Sequence, residues 1–260
     1  MIRILCLVFA MLCGAAQADT LRMAVTTSFH NSGLADILLP AIAQDTGLDV
    51  QLLIVGTGQA LRLGRAGDVD AILVHARAAE EAFVADGYAP HRREVMYNDF
   101  VLVGPRDDPA GITSAPSAVA ALRAIADAGA QFVSRGDDSG THKTELGLWS
   151  AAQLNPDSFG RWYNEGGAGM GASLNTSAGL DAYILTDRAS WLNFGNKAGL
   201  HLLFEGDPAL FNQYAYLPIS QDRHSHVNAS AAAVLEDWLT STRAQGLIDG
   251  YRLNGKQLFV

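Results

Sequence analysis

Gln131-Phe132-Val133-Ser134-Arg135-Gly136-Asp137-Asp138-Ser139-Gly140-Thr141-His142-Lys143-Thr144-Glu145-Leu146-Gly147-Leu148-Trp149 decides how this chain of 260 residues is read. A short apolar run enters a loop punctuated by glycines, and the apolar spacing after Lys143 suits a helix. The order is therefore strand, loop, helix start. Gly136 and Gly140 let the backbone approach a ligand closely. Ser134, Ser139 and Thr141 set hydroxyls beside N–H groups that a helix N-terminus leaves without partners. That is the make-up of an anion cradle, in which Arg135 supplies one fixed charge and a planar fork of donors suited to an oxyanion. The same residues also read as a capped helix with Arg135 paired to Asp137 or Asp138.

Upstream, Leu21–Val25 alternates as a strand and ends in the hydroxyl cluster Thr26-Thr27-Ser28, after which 34–44 carries apolar residues at helical spacing. A second strand over 49–55 runs into Gly56-Thr57-Gly58-Gln59 and a short helix, and Ala71–Val74 is a third strand. Strands alternating with helices argue for a parallel sheet with helices on both faces. In such sheets ligands sit beyond the carboxyl ends of the strands. The turns 26–28, 56–59 and 134–141 therefore share one face of one layout. Tyr97–Pro105 reads as a strand and a first crossing between lobes, and 214–219 as the return. The pattern further predicts helices over 119–128 and 173–185, a strand over 200–204, and an amphipathic helix within 235–248.

The start of the chain is set apart from the fold. Arg3, the apolar run from Ile4 to Cys13 and the Ala16-Gln17-Ala18 end read as a secretory signal peptide, 1–18, cleaved after Ala18. Both cysteines, Cys6 and Cys13, leave with it, so the exported product has none for a disulfide or a cysteine metal site. Losing Arg3 moves the formal charge from −9 to −10, which argues against a nucleic-acid surface. One pocket can still bind an anion, because charges beyond roughly 10 Å are screened at ordinary salt.

Catalysis finds little support in these residues. Ser139 and His142 lie close together, but adjacency at a helix start is no triad, and Gly-x-Ser-x-Gly is absent around the central serines. His224-Ser225-His226 reads as a solvated loop, with no spacing for a metal. Asp68, Asp70, Glu80 and Glu81 read as turn and helix-surface charges, and Tyr97, Trp149, Trp162 and Trp191 as packing aromatics. What remains is many neutral donors and one cation, which suits a small dianion held intact. Phosphate keeps a proton near neutral pH and favours a carboxylate in its site, whereas sulfate, molybdate and tungstate carry none. Asp137 and Asp138 decide between them by entering the pocket or turning away.

Thr26-Thr27-Ser28 with Ser32-Gly33-Leu34, Val55 to Ala60, Leu73-Val74-His75, Val95 to Pro105, Ser134 to His142 and Ala182 to Arg188, in this order, resemble the tungstate-binding proteins of bacterial ABC importers. The resemblance runs from about Leu21 to the carboxyl terminus. It implies an α/β, two-lobed type II periplasmic binding protein, each lobe a mixed, mostly parallel sheet flanked by helices, with lobe 1 at 19–104 and 215–260 and lobe 2 at 105–214. The implied ligand is tungstate, with molybdate or a general oxyanion as the alternative, held in the cleft between lobes by Thr27 or Ser28, Thr57, Arg135, Ser139, Thr141 and the backbone around Gly140. His30 departs from the acid that the family more often has after the serine, and Ser177-Ala178 is a weaker candidate. The implied partners are an ABC permease and its ATPase, with no cofactor, no nucleic acid and a monomeric, periplasmic, soluble carrier. An exported hydrolase using Ser139 and His142, and a sensor module reporting to a membrane receptor, are the readings from other classes.

Overall fold

The computed structural model describes residues 19–259. The predicted signal peptide and its two cysteines therefore lie outside the described residues. From the amino end the elements are β1 (Asp19–Thr26), α1 (Thr27–Asn31), α2 (Ala35–Thr46), β2 (Leu48–Val55), α3 (Thr57–Ala66), β3 (Ala71–Val74) and α4 (Arg77–Ala85). Next come β4 (Arg93–Pro105), α5 (Ala118–Ala128), β5 (Phe132–Ser134), α6 (Gly140–Ala151), β6 (Tyr163–Glu165), α7 (Met170–Leu180) and β7 (Tyr183–Asp187). The chain closes with α8 (Arg188–Asn193), β8 (Leu200–Phe204), β9 (Phe211–Pro218), α9 (Ala229–Leu239), α10 (Thr242–Gly250) and a two-stranded hairpin.

The strands form one mixed sheet in the order β2-β1-β3-β9-β4-β7-β5-β6, with β8 also on β4. Parallel pairings join β1 to β2 and β3, and β5 to β6 and β7. The antiparallel ones all involve β4 or β9. At 13 residues, β4 extends roughly 43 Å, long enough to serve both halves of the sheet. Its residues Arg93–Asp99 pair with β9, and from Phe100 to Val103 it pairs with β7.

Alternation along the strands feeds a core on each face of each half. In the first half Met23, Val25 and Leu73 pack with Leu38, Ile42 and Leu235, while Ala24, Ile72 and Val74 face Leu61 and Phe83 on the opposite side. In the second half Leu102, Phe132 and Leu185 pack with Leu122 and Trp149, and Val103, Val133 and Ile184 meet Met170, Leu174 and Trp191. Val95 and Met96 belong to the first core and Phe100 to Val103 to the second.

Three sequence expectations are corrected. The helix read over 173–185 ends at Leu180, because Asp181 takes a left-handed φ of 51°, and the fully buried run Tyr183–Asp187 is a strand. The helix read within 235–248 is two helices, α9 ending at Leu239 and α10 starting after the Ser241 cap, whose hydroxyl accepts from Ala244 N. Asp70 and Glu80 are interior rather than surface charges. Asp70 accepts from Arg22 N and Asn228 N, both at 2.8 Å. Glu80 accepts from Ala76 N at 2.6 Å and Arg92 Nε at 3.0 Å, which meets the requirement that a buried carboxylate be partnered.

Candidate functional site

The carboxyl ends of β1, β2, β3 and β5 converge. Thr26 ends β1 and caps α1, its hydroxyl accepting from Phe29 N at 3.2 Å. Gly56 follows β2 in extended conformation and opens α3, with Thr57 fully buried as that helix's first residue. His75 follows β3 directly. After β5 the chain turns through Gly136, at a φ of 56°, and reaches Ser139, which caps α6 by accepting from His142 N at 3.1 Å. Two helices of ten and twelve residues thus begin at one place, where their unpaired N–H groups and dipoles favour negative charge.

That place is a cavity of about 10 Å³. Thr27, Ser28, Thr57, Arg135, Ser139, Gly140 and Thr141, the seven residues singled out in the sequence, all line it. Thr26, Gly56 and His75 complete its wall. Beside it opens a larger recess of about 430 Å³, reached past His75 and Gly140, which line both spaces.

Arg135 is almost wholly buried and held on two sides: Nε donates to Ala168 O at 2.8 Å and Nη2 to the Asp137 carboxylate. Asp137 also accepts from Ser139 N at 3.1 Å. Asp138 turns outward to Arg62, at 2.9 Å, and to Lys143. Neither aspartate lines the cavity, and no carboxylate among the described residues does. The ion pair of the capped-helix reading does not remove Arg135 from the cavity wall: the guanidinium makes the pair while lining the space.

Beneath the loop, buried Glu145 accepts from Ser134 Oγ (2.9 Å), Trp149 Nε1 (3.1 Å) and Tyr163 OH (2.7 Å), tying the strand end to α6. His142 Nδ1 lies 3.1 Å from Ser134 Oγ, and the Glu145 carboxylate raises its pKa. The ring therefore engages Ser134, while Ser139 Oγ is occupied by capping. That geometry gives the hydrolase reading no nucleophile and base pair.

His75, missed as a site residue in the sequence, is buried with Nε2 3.1 Å from Ser28 Oγ, and burial pushes its pKa down to about 4. The signal available was its position: a polar residue at the carboxyl end of a buried strand, as Thr26 is at the end of β1. Ser177 is also buried but spends its hydroxyl on Ala182 O at 2.6 Å, away from the cavity. His30 is exposed. His224 and His226 place Nε2 at 3.0 and 2.9 Å from the carbonyls of Arg65 and Gly67, closing the end of α3.

A PBP superfamily domain matches residues 14–243. Over 231 residues, 88% of this chain and 80% of the relative, the chain is 44% identical to the tungstate-binding protein TupA of Peptoclostridium acidaminophilum. The chain belongs to the tungstate-binding protein family of the PBP superfamily. Among solved structures, the tungstate ABC transporter protein from Geobacter sulfurreducens matches at a TM-score of 0.82 and 46% identity, covering 89% of this chain and 98% of that one. TupA from Desulfovibrio alaskensis G20 matches at 0.83 and 42%, covering 94% and 98%. This family consists of substrate-binding proteins of ABC transporters rather than enzymes, and its α/β fold is the one described above. No described helix is long and apolar enough to cross a membrane.

Proposed function

We propose that this protein is the substrate-binding component of an ABC importer, capturing tungstate outside the membrane and delivering it to a permease whose ATPase drives uptake. Its family membership supports the class, and one observation carries the ligand: the cavity wall joins neutral hydroxyls, two helix starts and Arg135 without a carboxylate. A proton-free dianion accepts hydrogen bonds at every oxygen and donates none, so it matches such a wall. Hydrogen phosphate would present its proton to a wall without a carboxylate to receive it.

In this reading Thr27 or Ser28 and Thr57 hold the anion from the first lobe, and Arg135, Ser139, Gly140 and Thr141 from the second. The lobes read in the sequence as 19–104 with 215–260 and 105–214 are shifted by a few residues at both crossings, since Phe100 to Val103 pack in the second half and Tyr214 in the first. The pairing change on β4 between Asp99 and Phe100 is the natural hinge. The open form takes up the anion on one lobe, and closure adds the other lobe's donors, so binding energy is spent on the hinge equilibrium. The carrier acts as a monomer in the periplasm, after cleavage near Ala18.

Titration calorimetry with tungstate, molybdate, sulfate and phosphate tests the assignment. Tight tungstate binding with weak phosphate binding is expected. Tight phosphate binding with none for tungstate overturns it, and molybdate preferred over tungstate would make the protein a molybdate carrier, since the two ions share charge and nearly share size.

A further inference from the structure

Two side chains in the cavity wall have buried polar atoms without hydrogen-bond partners: Thr57 Oγ1 and His75 Nδ1. Both residues are more than nine-tenths buried. They converge on one point, because a Cβ placed on Gly140 would lie 2.7 Å from His75 Nδ1 and 3.1 Å from Thr57 Oγ1. Leaving such atoms unpaired in the interior is costly, so their placement asks for a partner in the cavity.

Hydrogen-bond accounting at Ser28 gives one assignment of protons that satisfies all of its neighbours. Ser28 Oγ has three neighbours: Thr26 Oγ1 and Tyr214 OH, each at 3.0 Å, and His75 Nε2 at 3.1 Å. A hydroxyl has one proton to give and two lone pairs to receive. Tyr214 is kept neutral by burial, so it has a proton to give, and Ser28 Oγ lies within reach of it. Thr26 Oγ1 already accepts from Phe29 N, and its own proton finds Ser28 Oγ within reach. Both lone pairs of Ser28 are then filled, and its proton goes to His75 Nε2. A neutral imidazole that accepts at Nε2 carries its proton on Nδ1.

We propose that His75 is a further ligand-binding residue, donating Nδ1–H to the anion from the first lobe, and that Ser28 acts as a positioning residue that sets the ring's tautomer. Thr57 Oγ1 donates beside it. Thr27 is left as the hydroxyl of the 26–28 cluster free to contact the anion itself. The arrangement selects against proton-bearing anions, since the opposite tautomer, which could accept a ligand proton, would require Ser28 to turn its own proton from His75 to Tyr214 or Thr26. The inference rests on the oxyanion reading above and adds the identity of a donor to it.

Long-range ¹H–¹⁵N spectra of the histidine rings in the full protein with tungstate test the tautomer directly and need no variant in the measurement, His75→Asn serving only to assign the ring. The protonated Nδ1 form is expected; a ring protonated at Nε2 overturns the proposal. Calorimetry with tungstate then compares variants. His75→Ala should weaken binding ~10- to 100-fold, the loss of one hydrogen bond to a charged group. His75→Asn, whose amide nitrogen falls near the Nδ1 position, should recover part of that loss, and His75→Gln, which mimics Nε2, should not. Ser28→Ala and His75→Ala should be non-additive when combined. Unchanged affinity in His75→Ala, rescue by Gln but not Asn, or additive losses would each overturn the proposal. Wild-type protein that binds no oxyanion would instead overturn the carrier reading, and this inference with it.

Discussion

Gly58 and Asp138 touch beside the cavity: Gly58 N donates to Asp138 O at 3.1 Å, and the two residues stand 80 positions apart in the chain. A Cβ on Gly58 would lie 1.5 Å from Asp138 Oδ2 and 2.1 Å from its Cγ. Arg62, on the same helix as Gly58, adds its ion pair to the same carboxylate at 2.9 Å.

Gly58→Ala therefore forces the Asp138 side chain off Arg62 and disturbs the closed form. The pair is exposed, so the expected loss is about 1 kcal/mol of tungstate affinity, with the ligand-free melting temperature little changed. Calorimetry beside a thermal melt of the ligand-free variant checks both parts. Unaltered affinity would mean that the contact plays no part in closure.

Arg135→Ala removes the cation from the cavity wall and also frees Ala168 O and Asp137. Tungstate binding should weaken by ~2–5 kcal/mol, as for a buried charged hydrogen bond. Arg135→Lys should retain part of the affinity but lose the fork geometry. The dissociation constants of the two variants, measured at one salt concentration, decide the matter.

Arg92→Ala leaves Glu80, with no exposed surface, without its cation. Unfolding free energy should fall by ~3–5 kcal/mol, the penalty for an uncompensated buried charge. Urea unfolding without ligand measures this. A change below about 1 kcal/mol would show that Ala76 N alone satisfies the carboxylate.

His142 carries a pKa raised above its ordinary 6.5 by the Glu145 carboxylate, 3.9 Å from its Nδ1. A group with a raised folded pKa lends stability that is complete below the unfolded value and lost as pH climbs through the folded one. The melting temperature should thus step down once pH passes 6.5 and goes through that raised value. His142→Gln should remove the step, and a step that persists in the variant would assign it to another group.

The corners at 26–28, 56–59 and 134–141 were legible because each repeats a local pattern, a buried strand running into hydroxyls and glycines and then a helix. Their meeting followed from the rule for strand ends in α/β sheets. The strand at Tyr183–Asp187 was not legible, because the apolar spacing of α7 continues through it and the left-handed turn at Asp181 has no local signature. Nor were the interior carboxylates. Asp70 is partnered by Arg22, 48 residues before it, and by Asn228, 158 residues beyond it, and only such distant contacts tell it from a turn residue. His75 stayed hidden for the same reason: Ser28 stands 47 residues before it, and Tyr214, also on Ser28, stands 186 residues beyond that serine.

The cavity of about 10 Å³ is on the scale of a single water molecule. A tetrahedral anion with four oxygens needs more room than one water takes, so Thr57 on one side and Ser139 and Thr141 on the other must draw apart to admit it.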